Sequence, residues 1–156
     1  MSDDRQVIVG NQVYKTILVG ADGTPEAGRA LHVAILLARS LKARAVVLGV
    51  IPPPSPESQA EGYGLEIDDA KRSRMEQALR QEIQALGNAE GEVTLEICGG
   101  RPDETILRKA AQYDADLIVV GRRDVSRIRH WLEGSTSESL VRKCVVSLLV
   151  VPDTHA

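Results

Sequence analysis

Near its start the chain carries the sequence Thr16-Ile17-Leu18-Val19-Gly20-Ala21-Asp22-Gly23-Thr24-Pro25. Its first six residues are mostly apolar and include β-branched side chains, a composition typical of a short buried strand. Thr24 and Pro25 then have the residue types of an N-cap and a first helical position. A strand that leads directly into a helix begins a βαβ unit, and it predicts an α/β domain with a parallel sheet.

The same alternation continues along the chain. Five short apolar runs are predicted to be strands: Thr16 to Ala21, Ala45 to Ile51, Val93 to Cys98, Leu117 to Gly121, and Val145 to Val151. Helical periodicity separates these runs, so we expect helices on both faces of the sheet. The third run alternates apolar residues with Thr94 and Glu96, which favours a position near a sheet edge.

Four helices are predicted between the strands. The first follows Thr24, the second spans about Asp68 to Leu86 with Gly87 placed to end it, the third spans about Asp103 to Tyr113, and the fourth begins at Ser135. The third helix is expected to pack Ile106, Leu107, Ala110 and Ala111 against the sheet. The segment Pro52 to Gly64 is expected to be a surface loop, and residues 1–12 and 153–156 to be flexible termini.

Composition excludes several classes of partner. The chain has 156 residues, which fits one domain, a net charge of −3, no Phe and 3% aromatic residues. A basic surface and aromatic stacking platforms are the usual requirements for nucleic-acid binding, so we expect none. The apolar runs of about eight residues are too short to span a bilayer, and no basic stretch leads into an apolar segment at the start. We therefore expect a cytoplasmic protein without a membrane association.

The two cysteines, Cys98 and Cys144, are far apart in sequence and have no metal-ligand spacing. Both lie within or beside apolar runs. They are expected to be buried, reduced thiols.

Two loops at predicted carboxyl ends of strands carry candidate binding residues. Asp22 follows the first strand, where it can accept hydrogen bonds from a ribose or help to hold a metal ion; alternatively, Asp22 and Gly23 form a turn before the helix. Gly121 ends the fourth strand, and Gly134-Ser135-Thr136-Ser137 begins a helix further on. This second pattern fits a phosphate cradle, or a capping box between Ser135 and Glu138.

Five segments together resemble the universal stress protein family. They are Tyr14 to Thr24, Gly100-Arg101-Pro102, Ala115 to Gly121, Gly134 to Glu138, and Leu148 to Pro152. The resemblance covers residues 13–152 and implies a single domain with a Rossmann-like sheet of five parallel strands in the order 3-2-1-4-5, as in the adenine nucleotide alpha hydrolase-like group. It also implies a homodimer, formed through the last strand, Val145 to Val151.

The nucleotide-binding branch of that family implies an ATP site in this chain. It would assign Asp22 to the ribose, Val50 to the adenine, Gly121 to the ribose and phosphates, and Gly134, Ser135, Thr136 and Ser137 to the phosphates. The family pattern has a second glycine where this chain has Asp124. A carboxylate there repels phosphate, unless the arginines of the same loop neutralise it or Mg²⁺ bridges it to the phosphates.

Two functions remain open on the sequence. The first is a homodimeric regulatory or stress-survival factor that binds ATP, with Mg²⁺ as a potential companion ion. The second is a nucleotide-free dimer that acts through contacts with a protein partner not identified by the sequence. An enzyme is not expected beyond a weak ATPase, because no nucleophile stands beside a base and the first loop lacks the glycine-rich phosphate loop of related ATP pyrophosphatases.

Overall fold

A computed structural model describes residues 13–23, 28–54, 56, 60, 68–87, 92–121 and 144–152. In chain order its elements are β1 (Thr16–Ala21), α1 (Gly28–Leu41), β2 (Arg44–Ile51), α2 (Asp69–Ala85), β3 (Val93–Gly99), α3 (Pro102–Gln112), β4 (Leu117–Gly121) and β5 (Ser147–Val151). The predicted termini, the helix start at Thr24 and Pro25, and the helix start at Ser135 lie outside these residues, as does most of the Pro52 to Gly64 loop.

The strands form a five-stranded sheet in the order β3-β2-β1-β4-β5, and every neighbouring pair is parallel. β1 lies at the centre, where all six of its residues are buried. A strand covered on both faces needs apolar residues on both, which explains its continuous apolar run. The predicted α/β class and strand order are confirmed.

Helices cover both faces of the sheet. On one face, side chains of α1 and of α2 pack with Ile17, Val19 and Val47. On the other face, Ile106 and Ala110 of α3 pack with Leu18, Leu48 and Ile118, among others. The odd and even positions of each strand therefore enter two separate apolar clusters, as the pleat of a strand requires.

Asp116 fixes the amino end of the central strand pair. Its carboxylate accepts hydrogen bonds from the backbone amides of Lys15 and Thr16 at 2.9–3.1 Å. These hydrogen bonds join the residue that precedes β4 to the residues at the start of β1. The contact sets the register with which the two strands reach their carboxyl ends.

One arginine side chain joins the ends of helices α1 and α2. Arg39, at the end of α1, donates to the carbonyl of Leu86 at 2.5 Å and also to that of Gly87, just beyond α2. Gly87 has φ +86°, a left-handed conformation that suits glycine and ends the helix as predicted. α2 is therefore tied to α1 where both helices end.

A polar network ties α3 to strand β3. Glu96 accepts hydrogen bonds from Lys109 Nζ at 2.6 Å and from the Tyr113 hydroxyl at 2.7 Å. Burial by itself would raise the pKa of Glu96, but these hydrogen bonds outweigh it and the pKa is lowered. The hydrogen bond to Glu96 raises the pKa of Tyr113 to about 12.

Three expectations about packing are wrong in detail. Ala111 is exposed, because it lies about 100° around the helix from the buried Ala110. Cys98 and Cys144 are free thiols but half-buried rather than buried. Burial, together with the nearby negative charge of Glu96, raises the pKa of Cys98.

The last strand is shorter than predicted. It begins at Ser147, which pairs with Leu117, while Val145 is 93% exposed. β4 itself begins at Leu117, so the residues before Ser147 have no strand beside them to pair with. β5 forms one edge of the sheet and β3 the other, as expected for β3.

Candidate functional site

The order in which the chain adds strands to the sheet changes side at β1. From β1 the sheet is built outward through β2 and β3, and the chain then returns to the other side of β1 to add β4 and β5. The loops after β1 and β4 consequently leave the sheet in opposite directions and open a crevice at the carboxyl ends of these strands. This crevice is the candidate functional site.

Three of the predicted site residues meet at this edge. β1 and β2 pair Ala21 with Gly49, so Asp22 follows at the level of Val50. β1 and β4 pair Val19 with Val119, so both strands reach the edge together, at Ala21 and Gly121. Adjacent strands lie about 4.8 Å apart, which brings these residues within the span of one nucleoside.

Asp22 and Gly121 differ in character from Val50. Asp22 is half-buried and carries the carboxylate, while Gly121 is buried and offers backbone only. Val50 is buried in the apolar cluster that includes Ile106 of α3. The other predicted site residues, Asp124, Gly134, Ser135, Thr136 and Ser137, lie outside the described residues.

The turn after β1 brings α2 close to the crevice. Gly23 has φ +78°, so the chain bends sharply after Asp22, in agreement with a turn at Asp22 and Gly23. A Cβ atom on Gly23 would lie 3.2 Å from the Cβ of Ala78, on α2. Glycine is therefore required here both for the backbone conformation and for the close approach of the helix.

Glu82, one helical turn beyond Ala78, adds a second carboxylate beside Asp22. Burial raises the pKa of Glu82, and the negative charge of Asp22 raises it further. Glu82 Oε2 also lies 3.4 Å from where a Cβ on Gly28 would be, at the beginning of the described part of α1. This side of the crevice is acidic and suits a group that donates hydrogen bonds or carries a positive charge.

The loop from β3 to α3 borders the crevice next to β2. The amide of Gly100 donates to the carbonyl of Ile51 at 3.0 Å, which fastens the loop to the end of β2. Gly100 has φ +142°, and a Cβ on it would lie only 2.7 Å from Thr105 Oγ1. The first turn of α3 is therefore held against the carboxyl end of β2.

Asp103, in that first turn, is a buried carboxylate. Its side chain is 9% exposed, and within the described part of the chain its Oδ1 atom has no hydrogen-bond partner. Arg101 Nε lies 3.9 Å from that oxygen, beyond hydrogen-bond distance. Buried carboxylates are normally hydrogen-bonded, so this oxygen is an exception that calls for an explanation.

Glu82 and Asp103 were missed on the sequence. The signal for Asp103 is its spacing: it precedes Ile106 by three residues, which places a carboxylate on the face of the helix that meets the sheet. Glu82 is separated from Ala78 by four residues and from Met75 by seven, the same helical face. No group of three or more metal-ligating side chains occurs among the described residues.

None of the helices among the described residues is long and apolar enough to cross a membrane.

The sequence is similar to those of known proteins. A sequence model described as the universal stress protein family matches residues 13–152. A curated relative from Thermus aquaticus, "Universal stress protein in QAH/OAS sulfhydrylase 3'region", is 34% identical over 141 residues, covering 89% of this chain and 99% of its own.

Two solved structures share the fold. A universal stress protein crystallised in complex with cAMP is 24% identical, with a TM-score of 0.62 over 88% of this chain and 97% of its own. The universal stress protein from Archaeoglobus fulgidus in complex with dAMP is 19% identical, with a TM-score of 0.62 over 89% and 98% of the two chains. At these identities the likeness concerns the fold.

Proposed function

Because this chain belongs to the universal stress protein family, we propose that it is a cytoplasmic, homodimeric regulatory or stress-survival factor that binds ATP in the crevice between β1 and β4. The observation that carries the proposal is the strand register, which brings Asp22, Val50 and Gly121 to one edge of the sheet. Two proteins of the same fold crystallised with cAMP and dAMP support an adenine nucleotide as the ligand.

The chemistry of the described residues suits a nucleoside. Asp22 can accept hydrogen bonds from the ribose hydroxyls, and these donors also offset the repulsion between Asp22 and Glu82. Val50, at 9% exposure near the end of β2, offers a purine ring a small apolar contact and its backbone groups. Gly121 has no side chain to obstruct the ribose and the first phosphate. We assign Gly134, Ser135, Thr136 and Ser137 to the remaining phosphates.

Equilibrium binding of a fluorescent ATP analogue, with competition by unlabelled ATP, tests this proposal. Asp22→Ala should weaken binding by about 1.5–3 kcal/mol, or about 10- to 150-fold, the range of a charge-assisted hydrogen bond. Asp69→Ala is the matched control, because it removes an exposed carboxylate from the first turn of α2. Equal affinity in the parent and both variants would leave Asp22 as a turn residue only.

Asp124 either repels the phosphates or holds Mg²⁺ against them, and a substitution distinguishes these two possibilities. If its carboxylate repels phosphate, Asp124→Gly should raise the affinity for ATP about tenfold or more, and more for ATP than for AMP. If Asp124 instead holds Mg²⁺ against the phosphates, the same substitution should weaken binding, and only when Mg²⁺ is present. Titrations with Mg²⁺ and with a chelator distinguish these results, and unchanged affinity in all of them contradicts both.

The dimer is proposed to form through Val145 to Val151. Leu148 and Val150 of edge strand β5 are 37% and 40% exposed, a feature that favours pairing with a second copy. This exposure also suits the second function, a nucleotide-free dimer that acts through protein contacts. Light scattering should return twice the chain mass of 16.9 kDa.

Val150→Lys should shift that mass to the monomer, because it places a charge on the exposed side of β5. Thr94→Lys, an equally charged change on the opposite edge strand β3, serves as the control and should leave the dimer intact. A parent protein that is monomeric at micromolar concentration would refute the dimer while leaving nucleotide binding to be judged by the titrations.

A further inference from the structure

Glu82 lies against the turn that carries Asp22. The Cβ of Ala78, one helical turn earlier on α2, would be 3.2 Å from a Cβ atom on Gly23. Glu82 Oε2 lies 3.4 Å from where a Cβ on Gly28 would be. α2 therefore contacts both the turn after β1 and the beginning of the described part of α1. Glu82 and Asp22 are both half-buried, so each side chain keeps contact with solvent and can exchange a proton.

The negative charge of Glu82 is poorly compensated. The residues one helical turn away on α2 are all apolar: Ala78, Leu79, Ala85 and Leu86. Arg29 and His32, in the first turns of α1, are exposed, and Arg39 donates to backbone carbonyls just beyond α2. Burial raises the pKa of Glu82, the charge of Asp22 raises it further, and no cation among the described residues lowers it.

We propose that Glu82 makes nucleotide binding depend on pH, so that the crevice binds an anionic nucleotide more tightly when Glu82 is protonated. The inference rests on the proposed nucleotide site and concerns the regulation of that site. When Glu82 is ionised, it and the Asp22 carboxylate place two negative charges on one side of the crevice, where they repel the phosphates. Protonation of Glu82 removes one of these charges and leaves the Asp22 carboxylate as the acceptor for the ribose.

The charge of ATP determines the direction of the effect. Ribose hydroxyls that donate to Asp22 spread its charge but cancel none of it, whereas each phosphate adds negative charge. A unit charge about 8 Å from a phosphate, at an effective dielectric between those of water and a protein surface, changes the affinity by about 3- to 10-fold. By linkage, a ligand that prefers protonated Glu82 also raises the pKa of Glu82 and takes up protons when it binds.

The test compares the dissociation constant for ATP in the parent, in Glu82→Gln and in Glu76→Gln, from about pH 7.5 to about pH 5. Glutamine keeps the shape of the side chain but carries no charge. At about pH 7.5 the parent should bind about 3- to 10-fold more weakly than Glu82→Gln, and this ratio should fall toward one as the pH is lowered. Protonation of ATP itself or of His32 is common to both proteins, so the ratio isolates Glu82.

Glu76→Gln is the matched control. It makes the same change on the same helix, at an exposed carboxylate that lies 2.8 Å from Arg80 Nη2. Its dissociation constant should equal that of the parent at every pH. Added salt should reduce the ratio between the parent and Glu82→Gln, because salt screens a charge effect and leaves a steric effect unchanged.

Calorimetry supplies a second measurement. The heat of ATP binding in two buffers with different enthalpies of ionisation gives the number of protons taken up with the ligand. At the pH where the affinity ratio changes most steeply, the parent should take up more protons per ATP than Glu82→Gln. Equal uptake by the two proteins would contradict the linkage.

Three outcomes of the titrations overturn the inference. A ratio that stays constant with pH means that the charge of Glu82 does not act on the ligand. A parent that binds more tightly than Glu82→Gln at about pH 7.5 makes Glu82 a direct acceptor for the ligand instead. The same pH-dependent ratio for Glu76→Gln indicates a general effect of net charge. If the parent binds no ATP at any pH, the proposed function itself fails.

Discussion

Replacing Gly49 by alanine should destabilise the fold and weaken nucleotide binding together. A Cβ atom at Gly49 would lie 2.7 Å from Ile97 Cδ1, 2.7 Å from Met75 Sδ and 3.0 Å from Leu79 Cδ1. Carbon atoms in contact normally lie about 3.5–4.0 Å apart, so these neighbours must move by about 1 Å. Leu79 is fully buried, so moving its side chain also displaces the core residues packed around it.

The magnitude follows from this overpacking. Inserting one methyl group into a filled core costs about 1–3 kcal/mol, and three simultaneous close contacts place Gly49→Ala in the upper half of that range. For a chain of this size, the loss corresponds to a fall in the thermal midpoint of about 4–12 °C. Two of the displaced side chains belong to α2, so that helix should move away from the sheet.

Displacement of α2 also reaches the crevice. Ala78 packs on Gly23, and Glu82 lies beside Asp22, so a shift of the helix alters the turn that positions the Asp22 carboxylate. We expect a loss in ATP affinity of a few-fold to about tenfold, on the scale of about 1 kcal/mol. Urea unfolding followed by far-UV circular dichroism measures the stability, and the fluorescent titration measures the binding.

Gly20→Ala is the matched control for Gly49→Ala. It adds the same methyl group to the opposite face of the neighbouring strand, where the nearest atom is the flexible end of Ile106, at 3.2 Å. Its cost should be below about 1 kcal/mol. The reasoning is refuted if Gly49→Ala unfolds at the urea concentration of the parent, or if Gly20→Ala costs as much.

Three further predictions concern the contacts around the sheet. Tyr113→Phe should lower the free energy of unfolding by about 1–2 kcal/mol, because it removes a partly exposed hydrogen bond to the Glu96 carboxylate. The pKa of Glu96, followed by NMR, should rise because this hydrogen bond lowers it. The folded chain holds the Tyr113 proton up to a pKa of about 12, against 10.0 ordinarily. This contribution should therefore be complete below pH 10 and lost as the pH rises to about 12, a dependence that unfolding curves of Tyr113→Phe should lack. Arg39→Met keeps the aliphatic stem but removes the donors to the carbonyls of Leu86 and Gly87. Amide hydrogen exchange in the last turn of α2 should therefore accelerate, while that of β1 stays unchanged. Equal acceleration in both elements would contradict a local effect of these hydrogen bonds.

The strands were predictable from the sequence because their physical signal is local. A run such as Thr16 to Ala21 is apolar at every position only if both faces of the strand are covered, and that alone specifies the class of fold. The order of the strands needed the family resemblance, since apolar runs do not encode their neighbours. Val145 was wrongly included in the last strand, because its apolar side chain says nothing of where the partner strand begins.

The site was predictable in part for the same reason. Asp22 and Gly121 end strands, so their position at the carboxyl edge follows from the chain itself. Glu82 and Asp103 lie on helices, and whether they reach the crevice depends on how each helix is rotated against the sheet. That rotation is set by contacts such as Gly23 with Ala78, which join residues distant in sequence.

The sparse anchoring of α2 has a consequence for motion. Leu79 is the helix's one fully buried side chain among the described residues, whereas every residue of β1 is buried. Opening of α2 alone would expose Leu79 and the partly buried Met75, Ile83 and Leu86 but leave the strands covered by the other helices, so its free energy lies below that of global unfolding. Such subglobal opening would uncover the Asp22 side of the crevice while the sheet stays intact, and so would give the proposed nucleotide a route that global unfolding is not needed to open.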